Sequence, residues 1–275
     1  IVVPWIELDV TPSSILEAVL GEYYYPILSG KLSVEVVDEK DTVTKVDSDS
    51  LESVVAGQTP QFQARVAPFV SLAKAALSAL AAKNFVPLAL SPPPGAPRWT
   101  KEVVSELIAE QIHVALENGE RVFLRAPLSV RPKDAAAMDS EFLLCLERDR
   151  VGGESSIQFI REGIIVSDVR PRRTSGVRAI VVIEPGPLAT FLGDAENPSH
   201  TEWQKDVLKD SYVYSVAHLD YVVQSVPTLL SLISNYQSKP DTTLLLDLFS
   251  LPADEGKKRE KDKAQKKDGT LVRVS

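Results

Sequence analysis

Cysteine is almost missing from this sequence. One residue, Cys145, stands among 275, so no internal disulfide forms and a small disulfide-stapled scaffold is excluded. Cys145 lies in the apolar run Phe142-Leu143-Leu144-Cys145-Leu146. With no His or helix start close by in sequence, that setting predicts a buried small hydrophobe rather than a reactive thiol. The lack of a disulfide framework fits a reducing compartment, and the expected location is the cytoplasm. Histidine is also scarce, with only His113, His200 and His218. There is no His-Glu-x-x-His, no paired-Cys motif, no Gly-x-Ser-x-Gly and no Gly-x-x-x-x-Gly-Lys-Ser/Thr loop, which excludes the zincin, zinc-finger, nucleophile-elbow and P-loop patterns. His113 and His218 lie beside inward helix positions without a nucleophile or ligand at helical spacing, and read as structural. No apolar stretch reads as long enough to span a bilayer, and the start lacks the charged and apolar parts of a signal peptide, so no membrane partner is expected.

What is present is ordinary for a globular chain: 44% hydrophobic and 25% charged residues, with a net charge of −8. The charge is unevenly placed. Residues 256–267 hold seven Lys/Arg against two acids, so the rest is more acidic than the whole. An acidic body lacks the concentrated positive face that nucleic acid needs, and only the basic tail could attract it. That tail is interleaved with acids and has no aromatics, so a solvated linker is the expected state. The chain opens without Met in the strand-like Ile1–Ile6 and ends on the strand-like Thr270–Val274. It therefore reads as a segment of a longer protein.

Periodicity predicts an α+β fold, with a mixed sheet of about four to six strands packed with several long helices. Thr11-Pro12-Ser13-Ser14 carries helix-start chemistry for a helix reaching about Tyr24. A strand is expected over 31–38 and an exposed loop or weak hairpin over 38–59. Phe62, Val66, Phe69, Ala73, Ala76 and Leu80 step at helical spacing from Gln61 to Lys83, with Pro68 either kinking the helix or marking its start. A second helix is predicted behind a Thr100 cap, with Val104, Leu107, Ile108, Ile112 and Ala115 inward and Asn118-Gly119 at its end. Strands follow at 122–130, 141–147 and 157–161, then, through a tight turn at Glu162-Gly163, at 164–166, and at 177–183. The last is apolar on both faces and hence central. Tyr212, Val216, Leu219, Val223, Val226, Leu230 and Ile233 then form a heptad seam on a helix over 206–236, kinked at Pro227. A short helix is expected over 242–249. The pattern divides into an N-terminal α/β segment (1–90), an α+β domain (98–250) beyond the stiff Ser91–Pro97 connector, and a charged linker (251–275).

The richest polar stretch is Ala195-Glu196-Asn197-Pro198-Ser199-His200-Thr201-Glu202-Trp203, bracketed by the apolar strand and the long helix. Loops held between rigid elements are where recognition concentrates. Asp194, Glu196 and His200 are chemically suitable metal ligands. The competing expectation is a helix start, with Asn197 or Ser199 as cap and Ser199 and Glu202 as a capping box.

Phe159-Ile160-Arg161-Glu162-Gly163-Ile164, a core strand, Pro187–Leu192 and the Pro198-x-His200 loop together resemble the second domain of Hsp90-like (GHKL) ATPases, nearest to the microrchidia type or to its prokaryotic relatives. The likeness covers roughly residues 120–215. In the microrchidia pattern the loop reads Pro-Thr-His-Asn-Lys-Gln; here Pro198 and His200 match, and Glu202 stands where the family has its phosphate-contacting Lys. The resemblance implies a core of the ribosomal-S5 second-domain type and a transducer that couples ATP binding upstream to conformational change or dimerisation. It further implies Glu196, Asn197, His200 and Trp203 as the coupling loop, and Arg161, His200 and Lys205 as contacts to phosphate or to the neighbouring domain. No Glu-x-x-x-Asn or Asp-x-Gly-x-Gly motif occurs. The segment is thus expected to hold no cofactor and not to be an enzyme alone, with ATP and Mg bound by an upstream domain of an ATPase parent. A homodimer is a further expected partnership. The other function expected from the residues is a scaffold that uses the 206–236 helix to hold a partner.

Overall fold

The computed structural model describes residues 10–90, 95–149 and 155–237. The strand-like Ile1–Ile6 stretch, the expected 242–249 helix and the basic linker lie outside these residues. The fold is α+β, built on a mixed six-stranded sheet and a separate two-stranded sheet.

Helix α1 (Pro12–Glu22) starts as the sequence predicts: the Ser14 N–H donates to Thr11 Oγ1 and the Thr11 N–H to Ser14 Oγ. Helix α2 (Tyr24–Leu28) continues almost directly. Strands β1 (Val34–Val37) and β2 (Val43–Val46) pair antiparallel, and α3 (Leu51–Ala56) follows, where the sequence suggested only a loop or weak hairpin. Helix α4 (Pro60–Ala81) begins at Pro60 under a Thr59 cap, so Pro68 lies inside it. Its 22 residues are long and apolar enough to cross a membrane by length and composition, contrary to the sequence reading. Arg65 and Lys74 are its only charged residues, yet Phe62, Val66, Phe69 and Ala73 are buried in the protein's own core.

The main sheet contains β3 (Val86–Pro87), β4 (Val122–Val130), β5 (Met138–Arg148), β6 (Ser156–Arg161), β7 (Ile164–Ile165) and β8 (Val177–Ile183), in the order β3-β4-β5-β8-β6-β7. As predicted, β8 is interior: it runs antiparallel to β5 and parallel to β6. Glu162 and Gly163, both at positive φ, make the tight β6–β7 turn, a conformation that glycine adopts freely. Alternation along β5 sorts its side chains to two faces. Leu143 and Cys145 join Ile160, Ile180 and Val182 under α1–α4, while Phe142, Leu144 and Leu146 join Val181 and Ile183 on the opposite side. That second face is covered by α5 (Glu106–Glu117), α6 (Pro187–Ala195), α7 (Ser215–Val223) and α8 (Ser225–Gln237).

Cys145 is fully buried in the sheet, and burial pushes its thiol far above the ordinary range. A thiol-specific disulfide reagent should therefore leave Cys145 untouched in the native protein and modify it completely in denaturant. Rapid native labelling would contradict the burial.

Two helix predictions need correction. Ser105, not Thr100, caps α5, its hydroxyl oxygen accepting from the Ile108 N–H; Val104 precedes the helix, and Leu107 is 65% exposed rather than inward. The buried stripe runs through Ala109, Ile112 and Leu116, with Ile108 and Ala115 partly buried beside it. The single helix over 206–236 is also replaced, by a 3₁₀ turn (Val207–Lys209), α7 and α8. The first break comes from the β4–β5 loop, which pairs with the chain: Val213 N–H donates to Arg131 O and Lys133 N–H to Ser211 O. The second is a 68° bend between α7 and α8. Pro227 has no N–H and its ring excludes the carbonyl one turn back, so the chain breaks at Gln224. The seam positions Leu219, Val226 and Ile233 are buried within this chain's core.

Candidate functional site: the Glu196 junction

The Ala195–Trp203 stretch does not follow the apolar strand directly: α6 intervenes, a helix the sequence reading lacks although Pro187 and Leu188, Phe191, Leu192 and Ala195 at helical spacing signal it. Glu196 is its C-cap. The chain then reverses: Glu196 and Trp203 form an antiparallel bridge, Asn197 N–H donates to Glu202 O (3.1 Å), and Gln204 N–H to Ala195 O (2.7 Å). Asn197 shapes the turn, accepting the Thr201 N–H at 2.9 Å through Oδ1 and donating to Thr201 Oγ1 at 3.0 Å. His200 occupies the left-handed region (φ 58°), which a non-glycine residue adopts only where its surroundings hold it. Asp168 N–H donates to Thr201 O at 2.6 Å and ties the hairpin to the segment after β7.

The expected capping box is not formed. No helix starts at Ser199; its hydroxyl meets Thr201 Oγ1 (3.3 Å), and Glu202 accepts from Gln204. The physical reason is that Asn197 closes a reverse turn, so the chain folds back on itself instead of winding forward.

Under the hairpin lies one buried carboxylate. The Glu196 side chain is 2% exposed, and it accepts from Arg161 Nε (2.5 Å) and Nη2 (2.8 Å), His200 Nδ1 (2.7 Å) and Trp203 Nε1 (3.2 Å). Burial opposes its charge, but the Arg161, His200 and Trp203 hydrogen bonds prevail and hold the carboxyl below its ordinary range. The same bonds to Glu196 raise Arg161, whose side chain is 12% exposed and also reaches Glu162 at 2.5 Å. Two residues outside the sequence-based site complete the seat. A Cβ on Gly193 would lie 3.3 Å from Arg161 Nη1, so the bare glycine lets the guanidinium pass against α6. Phe159 on β6 meets Trp203 edge to face, with ring centroids 5.6 Å apart.

A carboxylate has about four acceptor sites, and Glu196 uses all of them. It is therefore not a free base or metal ligand. Because a carboxylate only accepts, His200 Nδ1 must donate, which leaves Nε2 as the ring's second group on a side chain 60% exposed. The proposed metal set is not assembled: Asp194 takes the Tyr212 hydroxyl at 2.5 Å. Burial, with Asp194 behind it, raises that phenol to about 12. Among the described residues no group of three His, Cys, Asp or Glu side chains is placed to hold a metal ion. Lys205, grouped with Arg161 and His200 from the sequence, instead pairs with Asp220 on α7 at 2.7 Å. The structure thus joins Arg161, Glu196, His200 and Trp203, with Asn197 shaping the turn, and separates Asp194 and Lys205 from them.

No protein-family model, no curated protein and no solved structure matches this chain. The junction is read from its own chemistry.

Proposed function

We propose that this chain is a non-catalytic coupling region, the transducer-like middle part of an Hsp90-like ATPase. His200 senses a group presented by an upstream ATP-binding domain, and the junction passes that contact to the sheet, with conformational change or dimerisation as the outcome. One observation supports this above the rest: a single buried carboxylate links an exposed imidazole to β6 through Arg161, to the end of α6 through its own backbone, and to the core through Trp203. A ligand that displaces or protonates His200 must alter bonds reaching three elements. Glu202, exposed on the rim, repels a triphosphate, so contact falls to the His200 ring. ATP and magnesium belong to the neighbouring domain.

In a protein joining this chain to that domain, His200→Ala should retain ATP binding yet lose the ATP-dependent change in assembly or shape, followed by light scattering and small-angle X-ray scattering. The isolated chain should not hydrolyse ATP. Hydrolysis by the isolated chain, or an unaltered ATP response in His200→Ala, would overturn the proposal.

A further inference from the structure

His218 is buried on α7, and both of its ring nitrogens lie against carbonyl oxygens. Nδ1 is 2.9 Å from Tyr214 O and Nε2 is 2.8 Å from Ser129 O. A carbonyl oxygen only accepts, and a neutral imidazole carries a single N–H. Both bonds therefore form together only with the imidazolium, which donates from each nitrogen. In the neutral ring, one nitrogen turns a lone pair toward an oxygen at 2.8 or 2.9 Å. Ser129 O depends on this donor. The Arg125 carbonyl faces β3 and accepts the Leu88 N–H at 2.8 Å, and strand carbonyls alternate sides, so the Ser129 carbonyl faces the same way. β3 ends at Pro87, opposite Arg125, and leaves β4 uncovered beyond it. Further along that edge, Arg131 O accepts the Val213 N–H (2.9 Å) and the Lys133 N–H donates to Ser211 O (2.9 Å). Residues 211–213 thus cover the edge at 131 and 133, and the His218 ring covers it at 129.

The charged and titratable groups around the ring come from every element packed on it. Asp194 on α6 takes the Tyr212 hydroxyl, Asp139 on β5 takes the Ser129 hydroxyl, and Asp220 on α7 holds Lys205. Lys209, Asp210 and Tyr214 precede α7, and Arg131 and Lys133 follow β4. Among the described residues no carboxylate pairs with the ring, whose partners are the two carbonyls. Burial and the positive start of α7 oppose the charge. The two carbonyls favour it, through charge-assisted bonds about twice as strong as neutral ones.

We propose that His218 is a proton-operated latch: charged, it fastens the start of α7 to the open edge of β4, and loss of its proton releases that fastening. Tyr214 O keeps the His218 backbone N–H (3.0 Å) in either state, so the bond that can be lost without replacement is the one to Ser129. Its loss frees a carbonyl on an exposed sheet edge, the kind of group that recruits another strand. The latch uses none of the residues of the Glu196 junction, so it stands or falls separately from the coupling role.

The test is nitrogen NMR of the ¹⁵N-labelled chain, in which each imidazole nitrogen reports its own protonation. At about pH 7.5 a free histidine is about 90% neutral. In the folded chain at that pH His218 should still show two protonated nitrogens, and in urea it should show the neutral ring. A neutral His218 ring in the folded chain at that pH would overturn the proposal. The second measurement is stability against pH. The folded state then binds one proton more than the unfolded state above the ordinary histidine range. The latch's contribution is complete below that range. It is lost as pH rises, by up to about tenfold in the folding equilibrium constant per pH unit, until the folded ring itself titrates. His218→Gln keeps an N–H donor of similar reach without a titrating ring, and should lack that part of the slope in urea unfolding. Equal slopes in the two proteins would overturn the latch. The ring spectra need no variant, so they decide the matter even where His218→Gln does not fold.

Discussion

Glu196→Ala should lower the unfolding free energy by about 3–5 kcal/mol, the range for removing one partner of a buried ion pair. The change leaves Arg161 in a nearly closed site with only the rim carboxylate of Glu162, and it strands the His200 and Trp203 donors. Glu196→Gln should cost less, since it keeps the shape and one acceptor oxygen. Combining Glu196→Leu with Arg161→Met should cost less than the sum of the single changes, because neither charge is then left buried alone. Urea unfolding of each single variant and of the double variant measures these differences. The pH dependence has a definite sign. The folded carboxyl titrates below its unfolded value, so the native state binds fewer protons. The contribution is then complete above the ordinary carboxylate range and is lost as pH falls through the lowered folded value. The Ala variant should lack that part of the acid slope. A loss below about 1 kcal/mol at neutral pH would show that the junction is not a desolvated pair.

The second large effect is expected at Phe191. Its ring is fully buried on α6 and meets Tyr212 (4.9 Å) and His218 (5.9 Å) edge on. Phe191→Ala should cost about 3–5 kcal/mol, through lost burial and the cavity left behind. The loss would also loosen α6, which carries both Gly193 and the Glu196 cap. The His200 ring resonances should therefore move in Phe191→Ala although His200 is untouched. Phe191→Leu should do the same on a smaller scale. A destabilised variant with unmoved His200 signals would mean that α6 does not position the junction.

Much of this architecture was legible from residue order. The two-faced apolar run at 177–183 marked a central strand, Glu162-Gly163 a tight turn, and the hydroxyls at 11–14 a cap, because each depends on neighbours in sequence. The errors arose where a distant segment decides. Nothing local says that Arg131 and Lys133 will pair with Val213 and Ser211 and interrupt a seven-position heptad seam. Leu107 reads as inward from its three-residue spacing to Val104, but Val104 lies before the helix and the helical face is set by Ala109, Ile112 and Leu116. At the candidate site, the residue types at 196–203 were conspicuous, but their bonding was not. Arg161 is 35 residues from Glu196, and the role of Gly193 is visible only once the guanidinium lies against it. Asp194 and Lys205 were grouped with the site by sequence proximity, and the opposite sides of α6 and the Asp220 carboxylate take them elsewhere.

The position of β8 has a consequence for how the chain assembles. The strand synthesised last among the six lies between β5 and β6, which precede it. Until residues 177–183 emerge, the sheet exists at most as two pieces, β3-β4-β5 and β6-β7, each with an open edge and an apolar surface. Unpaired edges of this kind recruit other chains, and pairings that close late and over long separations form slowly. The growing chain thus passes through a stage in which its two least protected edges await the same seven residues.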